Sequence, residues 1–231
     1  MQENLAKLQT KIEKDPKRDK MDKFFQETPE VQAEIDVWQN KWHEFDVYTH
    51  TLEFIKAIEQ FSQDSNIRAA AWLHDIGKPV VAIPLIEEGK QQCNAQGKPY
   101  HKFDRHEIVG EEMVKKMDSQ IFEEFDLDQE KIASLVGCHF LPMKTIKILK
   151  KINNFDEFLQ KFNQLNEILG SLSITKEEVM TMFIADCLAK GRGSSQPDLM
   201  PIREALLKEN YTEDDVKEIY EIQKECYGVK Q

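Results

Sequence analysis

Apolar residues recur in steps of three or four positions along most of this chain, which is the spacing that collects them on one face of an α-helix. Val47, Phe54, Ile58 and Phe61 follow it, and similar stripes lie on either side of them. The pattern predicts helices over 28–38, 46–62, 66–77, 105–118, 128–140, 143–151, 155–169, 175–190, 198–208 and 212–226. We therefore predict an all-α fold, a bundle whose helices bury these stripes against one another.

One segment breaks the helical pattern. Residues 79–103 contain the short apolar run VVAIPLI, then the turn-rich stretch EEGKQQCNAQGK, then PYHKF. Short apolar runs bounded by glycine and asparagine are typical of hairpins. We predict a small β-hairpin or ordered loop inserted into the bundle near residues 80–103.

The chain divides into three parts on its composition. Residues 1–27 are strongly charged with few apolar positions, which predicts an exposed helix or arm with a break at Pro16. Residues 28–195 form the main domain, and residues 196–231 are predicted to be C-terminal helices packed on that same domain. Within the main domain, the acid-rich stretch IFEEFDLDQE is interpreted as solvated helix ends.

Composition excludes several classes of protein. No apolar run approaches the roughly 20 residues of a membrane span, and the first residues lack a signal-peptide core, so we expect a cytoplasmic protein without a membrane partner. The four cysteines form no CxxC pair, which favours reduced thiols over a disulfide scaffold. The formal net charge of −11 disfavours a long nucleic acid as ligand. We expect a small phosphorylated substrate such as a nucleotide, with metal ions supplying positive charge. The oligomeric state is left open.

Polar side chains that interrupt the apolar stripes mark the candidate site. The chain has six histidines, and four of them continue apolar stripes: His50, His74, His106 and His139. Asp186 lies on such a stripe, and Asp75 follows His74 directly. A single histidine facing a core is more often a hydrogen-bonded structural residue, and a single aspartate is more often a cap. Together these six point to a shared divalent metal, because buried carboxylates need a partner and imidazole nitrogen and carboxylate oxygen suit Mn, Fe, Co, Ni, Zn or Mg.

The order of these residues carries a family resemblance. The segments that contain them are DVYTHTL, HDIGK, RHEIVGEEM and IADCLAKGRG, with His139 between the last two. This resembles the H…HD…H…H…D pattern of the HD-domain metal-dependent phosphohydrolases over about residues 43–193. Several pieces look closest to the HD domain of bacterial CCA-adding tRNA nucleotidyltransferases. Only about 40 residues precede the match and no polymerase-type pair of carboxylates is found, so CCA addition is not implied.

The resemblance implies roles for individual residues. The primary metal ligands would be His50, His74, Asp75 and Asp186. Asp75 would also bridge to a second ion held by His106 and His139; with a single ion, these two histidines would instead contact phosphate or transfer protons.

Three cations are candidates for contacting the phosphate. Lys78 ends the HDIGK motif, and a solvated surface lysine is an equal alternative for it. Arg105 and Arg192 are weaker candidates of the same kind. The catalytic candidates are therefore Asp75, Lys78, His106 and His139.

Other residues fit no ligand position in the pattern. His43 and His101 are interpreted as structural histidines. The aromatic residues Trp38, Trp42 and Tyr48 are interpreted as packing and not as a platform that stacks on a base.

The resulting hypothesis is an enzyme with one or two divalent ions. It would hydrolyse phosphate mono- or diesters of a nucleotide or similar small metabolite, as a nucleotidase, a phosphatase or a 2′,3′-cyclic phosphodiesterase. Two alternatives stay open: a catalytically silent module that binds metal or nucleotide for regulation, and an RNA-processing hydrolase. The residues do not decide the metal, the number of ions or the substrate.

Overall fold

The computed structural model describes residues 15–149, 151–191, 207–208 and 210–227. Helices form most of this part of the chain, which confirms the all-α prediction. In chain order they are α1 (Pro16–Gln26), α2 (Pro29–Gln32), α3 (Val47–Ile58), α4 (Ser65–Leu73), α5 (Lys78–Val81), α6 (His106–Lys116), α7 (Ser119–Phe125), α8 (Gln129–Cys138), α9 (Leu141–Leu149), α10 (Phe155–Gly170), α11 (Lys176–Leu188) and α12 (Glu213–Tyr227). Among the described residues, no helix is both long enough and apolar enough to cross a membrane.

The predicted insertion is present and contains two short antiparallel pairs. Its strands are β1 (Ile83–Pro84), β2 (Ile86–Glu87), β3 (Lys90–Gln91) and β4 (His101–Lys102). Strand β1 pairs with β4, and β2 pairs with β3. The β2–β3 turn contains Glu88 and Gly89, both with positive φ. The start of the apolar run differs from the prediction, since its first two valines belong to α5.

The main core lies between five helices. Helix α8 packs against α4 and α6, while α3 packs against α4 and α11. The core side chains are apolar and buried, and they include Phe54, Leu73, Val114, Leu135 and Met182. Each of these five helices also supplies, from its interior or its end, a side chain of the site described below.

The N-terminal helix differs from its prediction. Helix α1 buries Met21 and Phe25, which are 2% and 0% exposed. Asp22 forms an ion pair with Arg68 of α4 at 2.7 Å. The described end of the 1–27 segment is therefore packed on the core and is not an exposed arm, because its two buried apolar residues lie on one helical face. Residues 1–14 lie outside the described part, and the three-part domain division stays a prediction.

Several predicted boundaries are corrected by the structure. Helix α2 ends at Gln32 and does not reach Trp38, and α4 ends at Leu73 and not at Gly77. Helix α7 was not predicted, and it buries Phe122 and Phe125 out of the acid-rich stretch. That stretch is not made of solvated ends alone, since its phenylalanines complete the core while its carboxylates face outward. The predicted 198–208 helix lies almost entirely outside the described residues.

Candidate metal centre

Six side chains from five helices meet in the core of the bundle. His50 lies within α3 and Asp186 within α11. His74 and Asp75 directly follow α4, His106 begins α6, and His139 directly follows α8. All six are buried, with 6% exposure at most. The convergence that the sequence predicted is thus present in the structure.

The six residues form two neighbouring groups. In each group, one potential ligand atom per residue lies within 4.8 Å of the others. The first group is His50, His74 and Asp186, and the second is Asp75, His106 and His139. Within the first, His50 Nε2 is 3.0 Å from Asp186 Oδ1. Within the second, the Nε2 atoms of His106 and His139 are 3.4 Å apart.

Asp75 joins the two groups through its two oxygens. Its Oδ2 faces the first group, 3.0 Å from His74 Nε2 and 3.7 Å from His50 Nε2. Its Oδ1 faces the second group, 3.5 Å from His106 Nε2 and 3.8 Å from His139 Nε2. A carboxylate placed in this way can offer one oxygen to each of two cations.

Backbone carbonyl groups fix the orientation of all four imidazoles, each through its Nδ1 atom. The Nδ1 atom of each lies against a backbone carbonyl oxygen: His50 at 3.1 Å from Ala189, His74 at 2.8 Å from Ala71, His106 at 2.8 Å from Phe103, and His139 at 2.6 Å from Val136. Because a carbonyl oxygen only accepts, each Nδ1 carries the proton and donates it. Each Nε2 then presents a lone pair to the centre, which is the arrangement of metal-binding histidines.

These lone pairs face one another and face carboxylate oxygens, and that is unfavourable without a cation. His74 Nε2 and Asp75 Oδ1 are buried and have no hydrogen-bond donor in the structure. The Nε2 atoms of His106 and His139 likewise meet as two acceptors. A buried acceptor without a donor costs free energy. Divalent cations would satisfy these atoms together, so the six residues fit a metal centre of nitrogen and oxygen ligands.

Gly77 allows the HDIGK segment to approach α6. A Cβ atom at this position would lie 2.1 Å from the carbonyl oxygen of His106 and 2.8 Å from the backbone nitrogen of Gly110. The φ of Gly77 is −74°, which is ordinary for any residue, so the backbone conformation does not require a glycine. Its physical role is close packing, which brings Asp75 within reach of His106.

The two aspartates are held ionised. Burial alone would raise the pKa of Asp75, but neighbouring positive charge, to which Lys78 contributes, outweighs burial and holds it well below its usual value. Burial opposes ionisation of Asp186 too, and there the positive charge of Lys190 keeps the pKa well below normal. Both carboxylates are therefore charged at neutral pH, as metal ligands must be.

Three of the four histidines are held neutral, namely His50, His106 and His139. Burial lowers the pKa of His50 and of His106. For His139, burial together with the neighbouring His106 and His74 lowers the pKa from 6.5 to about 3. Neutral imidazoles keep the Nε2 lone pairs available at physiological pH.

Lys78 is buried in the centre and does not lie on the surface. Its Nζ donates to Asp75 Oδ2 at 2.5 Å and to Gln39 Oε1 at 2.6 Å. It also lies 5.5 Å from the ring centroid of Phe103. The alternative of a solvated lysine is thus wrong, and the lysine supplies a positive charge beside the carboxylate of Asp75.

Two neighbours of the centre were missed from the sequence. Lys190 is buried, with its Nζ 3.4 Å from Asp186 Oδ2; its position four residues after Asp186 in a helical segment was the available signal. His43 had been set aside as structural, yet its ring packs edge-on against His50 with centroids 5.3 Å apart. Burial, then Lys78 and His50, lower the pKa of His43 well below normal. No spacing rule reveals His43, because it precedes α3 in a non-helical segment.

The remaining predicted residues have different outcomes. Arg105 is exposed at the start of α6 with a φ of 65°, and no described contact ties its side chain to the six ligands. Arg192 lies outside the described residues. His101 is in the hairpin, where its Nδ1 donates to the carbonyl oxygen of Trp38 at 2.9 Å, so it does have a structural contact.

Comparison with known proteins gives one match. The model of a protein family described as the HD domain matches residues 47–191, which is more than half of the chain and contains all six ligand candidates. No curated protein and no solved structure shows a significant match to the chain. The likeness to CCA-adding enzymes therefore stays a sequence-based prediction.

Proposed function

The chain belongs to the HD-domain family, whose members are generally metal-dependent hydrolases, and from that premise we propose that it is a phosphohydrolase acting on small phosphate esters. The substrates would be phosphate mono- or diesters of a nucleotide or similar metabolite. The observation that carries the proposal is Asp75, whose two oxygens each face a set of inward histidine lone pairs. Such a centre is suited to two divalent ions.

The ligand sets follow from the two groups. His50, His74, Asp186 and Asp75 Oδ2 would hold one ion, while His106, His139 and Asp75 Oδ1 would hold the other. When bound, divalent ions supply Lewis acidity at a phosphoryl oxygen and make water a stronger nucleophile at neutral pH. The ordered Nδ1 contacts keep the histidines from rotating, so little reorganisation is needed to bind.

The low pKa of His139 supports a ligand role over proton transfer. A group with a pKa of about 3 carries almost no proton at pH 7, whereas an efficient general acid has a pKa near the working pH. His139 therefore offers a lone pair and not a proton. This favours the two-ion arrangement over the alternative in which His106 and His139 transfer protons around a single ion.

Charge in the centre supports an anionic substrate. Lys78 and Lys190 are both buried beside the ligand carboxylates. Their two positive charges offset the negative charges of Asp75 and Asp186, although the chain as a whole has a formal net charge of −11. We propose that Lys78 exchanges part of its contact with Asp75 for a phosphoryl oxygen when substrate binds, acting as a compact positive charge.

The test combines metal content with turnover. Bound metal is measured in the purified full chain, and hydrolysis is then screened with Mn, Ni, Co and Mg against nucleoside monophosphates, 2′,3′-cyclic nucleotides and a chromogenic bis-ester. Asp75→Ala removes the two oxygens that would hold the ions and should abolish metal binding and turnover. Asp19→Asn, an exposed carboxylate on α1, is the matched control and should retain both.

The outcomes separate the enzyme from the alternatives. Bound metal with turnover that disappears in Asp75→Ala supports the hydrolase. Bound metal without turnover on any ester would favour the catalytically silent module. Strongly salt-dependent binding and cleavage of RNA, without hydrolysis of small esters, would favour the RNA-processing enzyme.

A further inference from the structure

A cavity of 240 Å³ lies between the segment 38–44 and the tip of the hairpin insertion. Its lining includes three rings and four polar or charged side chains: Trp38, His43, Tyr100, Lys41, Glu44, Asn94 and Gln96. The volume is just below the roughly 300–1,000 Å³ of sites for drug-sized ligands. It therefore suits one small planar group and not a long chain.

The segment 38–44 is also the wall of the metal centre. His43 lines the cavity and packs its ring against His50, a candidate ligand. In the same segment, Gln39 accepts a hydrogen bond from Lys78, which in turn contacts Asp75. The cavity is thus separated from the ligands by the thickness of one side chain.

The hairpin is fixed to this segment by backbone contacts. The backbone N–H of His101 lies 3.1 Å from the carbonyl oxygen of Trp38 and 2.8 Å from that of Gln39. The carbonyl oxygen of Trp38 also accepts from His101 Nδ1. Both walls of the cavity are therefore held in place before any ligand enters, which lowers the cost of binding.

Asn94 presents a donor without an acceptor. Its Oδ1 accepts from the backbone N–H groups of Gln96 and Lys98 at 3.0 and 2.9 Å, which fixes the orientation of the amide. Its Nδ2 is buried and has no hydrogen-bond partner. A ligand that offers an acceptor at this point would remove an unsatisfied polar group.

We propose, resting on the proposed function, that this cavity binds the nucleobase of the substrate while the phosphate lies at the metal centre. The base packs against the rings of Trp38 and Tyr100, and one of its carbonyl oxygens accepts from Asn94 Nδ2. This makes uracil, cytosine and guanine better ligands than a sugar without a base. Trp38 would then have a binding role in addition to the packing role that its sequence context indicated.

The test uses nucleosides, which contain no phosphate ester to hydrolyse. Binding of uridine, cytidine and guanosine to the purified full chain is compared with binding of ribose by titration calorimetry. Aromatic stacking of a base predicts at least one nucleoside binding roughly tenfold more tightly than ribose. Ribose-like binding of all three nucleosides would overturn the proposal.

Two variants and one control test whether the preference for nucleosides over ribose arises from the cavity. Tyr100→Leu removes a ring, and Asn94→Asp keeps the oxygen that holds the turn while replacing the donor by an acceptor. Each should remove most of the nucleoside preference. Trp42→Leu, an aromatic of the same segment that does not line the cavity, should keep it. A preference that survives in both cavity variants contradicts the assignment.

Hydrolysis of ribose 5-phosphate, measured in parallel with added metal, separates this inference from the proposed function. Turnover without any nucleoside preference would leave the hydrolase standing and reject the base cavity. Nucleoside binding that depends on Asn94 and Tyr100, without turnover of any ester, would support the cavity and reject the hydrolase.

Discussion

The stability of the metal-free protein should fall in mild acid because His139 is buried in its neutral form. The ordinary pKa of histidine is 6.5, and in the folded protein that of His139 is about 3. Between these values the unfolded chain binds a proton that the folded chain does not. The free energy of unfolding therefore decreases as the pH is lowered through this range.

The size of the effect follows from the same two values. Each unit of pKa difference corresponds to about 1.36 kcal/mol. Protonation linked to His139 alone therefore lowers the free energy of unfolding by roughly 2 kcal/mol at pH 5 and by about 5 kcal/mol below pH 3. That is a large part of the 5–15 kcal/mol by which a typical domain is stable. Below pH 5 the depressed pKa values of Asp75 and Asp186 begin to act in the same direction.

The measurement is a comparison of wild type with His139→Asn. The asparagine does not titrate and can still donate to the carbonyl oxygen of Val136. Urea unfolding of both chains is followed at pH 7.5, 6 and 5 in the presence of a chelator. Titrating groups that do not contact His139, including the buried Glu34, whose pKa is raised by burial, cancel in the difference between the two proteins.

We expect the variant to be less stable at pH 7.5 and to regain about 2 kcal/mol on wild type by pH 5. Ile132→Val is the control, because Ile132 is also buried and lies in α8, the helix that His139 follows, and the cavity left by this change destabilises equally at every pH. If the free energies of unfolding of His139→Asn and wild type differed by the same amount at every pH, His139 would have the same pKa in the folded and unfolded chains. That result would refute the reasoning from burial.

Three further predictions concern packing and metal. Gly77→Ala should destabilise the fold by about 1–3 kcal/mol in thermal unfolding and reduce bound metal, because its Cβ overlaps the backbone of α6; Gly170→Ala, which meets nothing within 4 Å, should change little. Mn²⁺ at about 100 times its dissociation constant should stabilise wild type by about 2.7 kcal/mol, whereas Asp75→Asn should show no such gain. Phe25→Ala should cost about 3–5 kcal/mol in urea unfolding if α1 belongs to the core, and a loss below about 0.5 kcal/mol would restore the exposed-arm interpretation.

The helices were predictable because their signal is local. A 3.6-residue period is a property of one segment, and the stripes around Phe54 and Leu135 revealed their helices without reference to the rest of the chain. Helix α7 was missed because Phe122 and Phe125 are embedded in acidic residues, so the local composition resembles a solvated segment. What makes these two rings core residues is the neighbouring surface of α1, which contributes Phe24 and Phe25.

The candidate ligands were also predictable, because a histidine or aspartate on an apolar stripe must be buried and must find a partner. The order of motifs around His74 and Asp75 supplied the family, and the HD-domain match agrees with it. The sequence alone therefore indicated that these six side chains enter the core and that their donor atoms suit a divalent metal.

Only the tertiary structure shows how those side chains are arranged around the centre. That each oxygen of Asp75 faces a different set of histidines depends on the packing of several helices, and no spacing along one helix encodes it. Lys78 is buried against Asp75, and His43 lies on His50, for the same reason. Distances between segments remote in sequence are fixed by the packing of the whole core, so the geometry of the centre, and the cavity beside it, become visible only in the folded chain.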